Sequence, residues 1–123
     1  MSSVTAQGRP SRGQLWIVAL GAARTGEIGK TRPVLVISED GLQTGSPYDR
    51  ITIVPCTTNP RQQPTLIQPK IRAGGGLDRD SVILCDSPRA IVPSRFLRYL
   101  GEVPDDVWEQ VLAAREFIEG WDD

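Results

Sequence analysis

The sequence predicts a mainly β fold with one helix, in the α+β class: a small, mostly antiparallel β-barrel or curled sheet with a helix across one opening. Three observations carry this expectation. Five or six short, apolar, β-prone runs are separated by loops dense in Gly, Pro, Asn and Asp. Only one segment, near the C-terminus, has convincing helical periodicity. The chain has 123 residues, which suits one domain burying about two-thirds of its unfolded surface without a disulfide framework.

In chain order, residues 1–11 are small, polar and unpatterned and read as a flexible N-terminal tail, leaving 12–123 as a single domain. "QLWIVALG" (14–21) is the first strand; "AARTGEIGK" (22–30), with charges and glycines but no period, is a loop. "PVLVIS" (33–38) is the second strand, with its proline expected only at the first residue, where no ladder bond is lost. A turn-rich loop (39–49) leads to the third strand, "RITIVPC" (50–56), and then to the polar loop "TTNPRQQP" (57–64). "TLIQPKI" (65–71) is an edge strand because of its interior Pro69. "SVILCD" (81–86) is a buried strand that can continue through "RAIV". "PSRFLRYLG" (93–101) begins as a helical turn with Ser94 as cap. Pro104-Asp105-Asp106 then opens the helix, whose Val107, Val111, Ala114 and Ile118 fall on one face, and Gly120 ends it.

Composition removes whole classes of chemistry. Histidine is absent, and with it go Ser/His and Cys/His catalysis and the commonest metal ligand. The two cysteines, Cys56 and Cys85, lie inside apolar runs and read as core thiols. The net charge of −1 conceals an asymmetry. Residues 102–123 hold eight acids against Arg115 alone, which leaves 13 bases and 7 acids, about +6, in residues 1–101. A basic body of this kind can bind a polyanion on one face. Arg9 and Arg12 ahead of "LWIVALGAA" imitate a secretory leader, but the apolar stretch is only nine residues long. The expectation is a cytoplasmic protein with no membrane association.

Three loops at strand ends concentrate the functional residue types. Loop 22–32 takes about ten residues where a hairpin usually takes 2–5, and it alternates Glu27, Lys30 and Arg32 with Gly26 and Gly29. Glycine lets backbone approach a ligand, and a guanidinium fork matches phosphate oxygens; the same residues also suit an exposed loop with a Glu/Lys pair. "CTTNPR" (56–61) leaves its strand with Thr57, Thr58, Asn59 and Arg61, which suit either a turn or a phosphate or base contact. "CDSPR" (85–89) supplies Asp86, Ser87 and Arg89, as a structural pair or as a reader of a base. With Trp16, Tyr48 and Tyr99 available for stacking, the combination points to nucleic acid.

The succession "RGQLWIVALG", "GEIGKTRPVLVIS", "ITIVPCTTN", "GLDRDSVILCDSPRAI" and "RYLGEV" before a last helix resembles the MazF/PemK (Kid) toxins of bacterial type II toxin–antitoxin systems, from Arg12 to about Ile118. The resemblance implies an SH3-like, CcdB-like β-barrel, a homodimer, and an endoribonuclease that cuts single-stranded RNA without metal or cofactor. The products it implies are a 2′,3′-cyclic phosphate and a 5′-hydroxyl. It further implies a MazE-like antitoxin with an acidic disordered tail, with DNA reached only through the antitoxin complex. Arg32 stands at the family's RP arginine and Thr57 at its catalytic threonine. Glu27 follows the position of a catalytic histidine in another branch and completes the expected catalytic set. Lys30, Thr58, Asn59, Arg61, Asp86, Ser87 and Arg89 are the expected substrate contacts. The chain departs from that other branch at Gly26, where its histidine would fall, and at Leu84, where its strand arginine would fall; Ser87 replaces a frequent glutamine. Two other readings stay open. One is a CcdB-like, non-enzymatic gyrase poison anchored by Trp121; the other is a degenerate toxin that binds RNA or antitoxin without cutting.

Overall fold

The computed structural model describes residues 9–21, 30–59 and 61–120. Among these, seven strands and one α-helix follow in order: β1 (Gln14–Ala19), β2 (Thr31–Val36), β3 (Ile51–Thr57), β4 (Lys70–Ile71), β5 (Ser81–Ile83), β6 (Arg89–Ile91), β7 (Phe96–Glu102) and α1 (Asp105–Glu119). Every strand pairing is antiparallel, in the order β4-β5-β3-β2-β1-β7. β6 lies off this path and pairs with the first half of β3, while β5 pairs with its last two residues. The result is a curled half-barrel closed on one side by the helix, consistent with an SH3-like or CcdB-like fold.

The three long apolar runs become the centre of the sheet because each can bury both faces. Leu15, Leu35, Val54 and Cys56 point into one cluster, which α1 covers with Val107, Val111 and Ala114. Trp16, Val18, Val34, Val36, Ile51 and Ile53 form a second cluster on the other face, closed by Ile91 of β6 and by Phe96 and Tyr99 of β7. Phe96 and Tyr99 meet Trp16 edge-on, at 5.7 and 5.8 Å between centroids. Trp16 is therefore core, with its Nε1 donating to the buried Gln14 Oε1, and not the stacking platform expected of it.

α1 follows its sequence signals. Asp105 and Asp106 occupy its first turn, and Gly120, at φ +70°, ends it while donating to the Glu116 carbonyl. The buried stripe stops at Ala114, and Ile118, expected on the same face, remains 39% exposed beyond the edge of the core. Trp121 lies outside the described residues.

Four local expectations need correction. Segment 65–71 is strand only at Lys70–Ile71; Thr65 and Gln68 exchange backbone hydrogen bonds in a tight turn, which uses the residues a longer strand would need. In 93–101 the helical part is one 3-10 turn, Pro93–Arg95, capped at Val92 and not at Ser94. Phe96–Glu102 is strand instead, because the open edge of β1 offers a ladder and Trp16 offers an aromatic surface. "RAIV" does not continue β5: a turn donating from Ser87 N–H to the Leu84 carbonyl separates β6 from it. Finally, proline is not confined to a strand's first residue, since Pro33 is third in β2 and Pro55 fifth in β3.

Of the expected tail, residues 9–11 are anchored. Gln43 donates to the Pro10 carbonyl, Arg9 approaches Asp49, and Ser11 Oγ donates to Asp40. At the other end of the sheet the glycine loop 74–76 rides directly on β7. A Cβ on Gly76 would overlap the Leu100 carbonyl, and one on Gly101 would overlap the Gly75 carbonyl.

Candidate active site

A proline locates the site. The β2–β3 ladder runs Val36↔Ile53, Leu35↔Val54 and Val34↔Pro55, and no pair follows. Pro33 would be the next residue of β2 to donate towards β3 and has no N–H, so the ladder ends there, while Pro55 turns its carbonyl to the other side of β3, where it accepts from Leu84 N–H. Carried two residues further, the same register places Arg32 opposite Thr57, on the face of the second core cluster and away from α1. Arg32 is half-buried and pairs in register with the fully buried Val18, so its backbone is set by the sheet.

Thr57 is 5% exposed and pairs with Val82 of β5. Its Oγ1 accepts the Asn59 N–H at 3.1 Å, which commits the hydroxyl as acceptor and leaves its own hydrogen to donate to a ligand. Asn59 Oδ1 in turn accepts the Arg61 N–H at 3.0 Å, and its carbonyl accepts from Gln62 N–H, so the turn is self-supported. Thr57, Thr58, Asn59, Gln62, Lys70 and Asp80 line a cleft of about 180 Å³ beside the end of β3. Thr58, Asn59 and Arg61 are all exposed.

Cations gather at the adjoining ends of β1 and β2. Lys30, at φ +65°, donates its N–H to the Gly21 carbonyl and accepts from Leu20 N–H, closing the neck of the loop between β1 and β2. Its first structural role is thus to hold a left-handed turn, a conformation unusual for a residue with a Cβ. The Arg89 guanidinium donates to the Leu20 carbonyl at 3.3 Å, and Arg95 to the Ala19 carbonyl at 3.2 Å. Lys30 through its backbone, and Arg89 and Arg95 through their guanidiniums, thus all bond residues 19–21, beside the start of β2 that carries Arg32. Glu27 and Gly26 lie outside the described residues.

Asp86 and Ser87 are exposed on the turn after β5, and Leu84, where the other branch's arginine would fall, is buried. Asp86 does not line the cleft; its Oδ1 accepts from Gln68 Nε2 at 3.0 Å. Of the aromatic residues expected to stack bases, Tyr48 is 80% exposed, while Tyr99 is half-buried and donates to Glu102.

Residues that sequence reasoning passed over are Arg95, Gln62, Gln68 and Asp80. Arg95 was concealed in an expected helical turn, Gln62 in a polar loop without motif and Gln68 in an expected edge strand. Asp80 accepts the Ala73 N–H and lies 3.4 Å from Lys70, which together hold its carboxyl below the usual range. A carboxylate so held is a weak base and serves the walls of the cleft. Cys56 and Cys85 are free and buried, and burial pushes their thiols up to about 12 and about 11, so neither offers a ready thiolate. Among the described residues no three His, Cys, Asp or Glu side chains come together as a metal site would require. No described helix is long and apolar enough to cross a membrane.

Comparison with known proteins bears on this geometry. Residues 11–116 match the family model described as the PemK-like, MazF-like toxin of type II toxin–antitoxin system. The chain is 30% identical over 106 residues to the endoribonuclease PemK of Escherichia coli, covering 82% of this chain and 75% of that protein. In fold it is similar to MazF from Deinococcus radiodurans, with a TM-score of 0.74 at 24% identity over 91% of this chain and 97% of that one. It is also similar to a mycobacterial endoribonuclease solved in complex with its cognate antitoxin, with a TM-score of 0.72 at 19% identity over 90% and 95% of the two chains.

Proposed function

The chain belongs to the PemK/MazF toxin family of type II toxin–antitoxin systems, and from that premise we propose that it is a sequence-selective endoribonuclease acting on single-stranded RNA. The observation that carries this reading is that Arg32 and Thr57 both lie two residues past the last β2–β3 pair, beside the end of β1 that Lys30, Arg89 and Arg95 bond.

The reaction suits a protein without histidine. The nucleophile is the RNA's own 2′-hydroxyl, held beside the phosphorus by the ribose, so proximity arrives with the substrate. Its oxygen bonds to phosphorus as the bond to the 5′-oxygen breaks, giving a 2′,3′-cyclic phosphate and a 5′-hydroxyl. One proton leaves the 2′-hydroxyl and one reaches the departing oxygen. The protein has to hold the backbone in line and stabilise charge on the phosphoryl oxygens. Arg32 supplies a planar fork to those oxygens, and Thr57 donates its remaining hydroxyl hydrogen. Glu27, on the loop whose neck Lys30 closes, is the proposed proton carrier. Thr58, Asn59, Arg61, Ser87 and Arg89 extend the contact along the strand.

The reading includes a homodimer and an antitoxin whose acidic, extended tail competes for the same cationic rim. It is tested by incubating the protein with mixed single-stranded RNA in EDTA and mapping the ends. Cyclic-phosphate and 5′-hydroxyl termini at a short common sequence are expected. RNA left whole, or ends carrying a 5′-phosphate, would count against it.

A further inference from the structure

The cleft beside Thr57 is braced by a hydrogen-bonded relay that ends on a carboxylate. Gln62, which lines the cleft, donates from Nε2 to Gln68 Oε1 at 2.6 Å, and Gln68 donates from Nε2 to Asp86 Oδ1 at 3.0 Å. The backbone completes a ring. Thr57 Oγ1 accepts from Asn59 N–H, the Asn59 carbonyl accepts from Gln62 N–H, Ser87 N–H reaches the Leu84 carbonyl, and Leu84 N–H reaches the Pro55 carbonyl two residues before Thr57. Two loops that are distant in sequence are thereby tied to the end of one strand.

Its direction is set by chemistry. An ionised carboxylate only accepts, so Gln68 must turn its NH₂ towards Asp86. That leaves the Gln68 carbonyl end for Gln62, which must answer with its own NH₂. The other end of the Gln62 amide, its Oε1, is an acceptor with no partner in the protein among the described residues.

Building on the ribonuclease reading, we propose that Gln62 accepts a hydrogen bond from an N–H on the edge of an RNA base in this cleft, and that Gln68 and Asp86 are positioning residues that fix which end of its amide the base meets. Asp86 on this account selects sequence without touching RNA. One acceptor bond gained or lost is worth about two- to tenfold in preference.

The experiment is a charge-relocation series. Gln68→Glu sets two carboxylates against each other, so the introduced one is driven away from Asp86 and out of reach of Gln62 Nε2, the Gln62 amide is released and the relay breaks. Gln68→Glu combined with Asp86→Asn restores it, because the introduced asparagine amide donates to the new carboxylate and Gln62 Nε2 still finds an acceptor. Cleavage sites are mapped on a randomised single-stranded RNA, and kcat/KM is compared on RNAs differing at one base. Gln68→Glu is expected to shift base preference at one position by about two- to tenfold, with the same cyclic-phosphate product and an unchanged melting temperature. The double variant is expected to return to the wild-type preference. Unaltered preference in Gln68→Glu, or failure of the double variant to restore it, overturns the proposal. Intact RNA with the wild-type protein overturns the ribonuclease reading and the base contact with it. The positioning of the loop is then judged separately, by hydrogen exchange at the Asn59 and Gln62 amides. Faster exchange in Gln68→Glu with recovery in the double variant supports it, and unchanged exchange overturns it.

Discussion

Arg32 and Thr57 lie one on each strand, two residues past the Val34↔Pro55 pair at which the β2–β3 ladder stops. Pairing with β1 and β5 carries the two backbones, while Pro33, with no N–H to offer β3, stops the ladder between them. Arg32→Ala is expected to reduce RNA cleavage on the order of 10²–10³-fold with little change in melting temperature. Arg32→Lys is expected to recover only part of this, since a point charge cannot replace a planar fork. Production of 5′-hydroxyl ends beside a thermal melt separates the two effects.

Thr57 joins a chemical and a structural role through one oxygen. Thr57→Ser keeps the acceptor for Asn59 N–H and the donor for substrate, and should retain most activity. Thr57→Val removes both, so cleavage should collapse and stability should fall by about 1 kcal/mol for the lost hydrogen bond. Equal activity of the valine and serine variants would remove Thr57 from the site.

The turn before β3 carries a pH-dependent element. Asp49 accepts hydrogen bonds from the Thr44 hydroxyl and the Thr44 and Gly45 N–H groups, and Arg9 lies nearby, which together hold its carboxyl below the usual aspartate value. A group depressed in the folded state stabilises it above the unfolded pKa, about 3.9, and that contribution is lost as pH falls through the folded value. Asp49→Asn should therefore melt lower than the parent at neutral pH, and the gap should close below about pH 4. Melting temperatures of both proteins across that range check the sign.

Both thiols should be silent in the native state. Because burial raises Cys56 to about 12 and Cys85 to about 11, a thiol-reactive dye at pH 8 should label neither until the protein is unfolded, when both should react. Rapid labelling of native protein would show that the β3–β5 layer opens.

Glycine at positions 76 and 101 is required by close backbone approach. Gly76→Ala is expected to destabilise by about 1–3 kcal/mol, because the new methyl overlaps a carbonyl of β7 that cannot move without shifting the strand. Chemical denaturation measures it.

The central strands and the helix were legible in the sequence because their signals are local. A run such as Val34–Ile37 must be buried wherever it goes, and Val107, Val111 and Ala114 can face one way only in a helix. β7 was misread as a helical turn, since Pro93–Arg95 does open with one and the demand for a strand comes from the free edge of β1. The tight turn at Thr65–Gln68 was lost for a similar reason, its residues having β character but no partner strand. The motif residues Arg32, Thr57 and Asp86 were readable as types, but Gln62, Gln68 and Arg95 carry no pattern that marks them.

By itself, the sequence determined a histidine-free, basic domain of central apolar strands with one covering helix, because hydrophobic period and charge are properties of neighbouring residues. It also placed the Arg-Pro and Cys-Thr-Thr motifs at strand ends. The tertiary structure alone decided that Arg32 and Thr57 both lie just past the end of one ladder, since register is set by pairing between segments, and that this ladder stops where Pro33 would have to donate. It also decided that Asp86 bonds to Gln68 instead of lining the cleft. Those are relations between distant residues, and only the closing of the sheet brings them together.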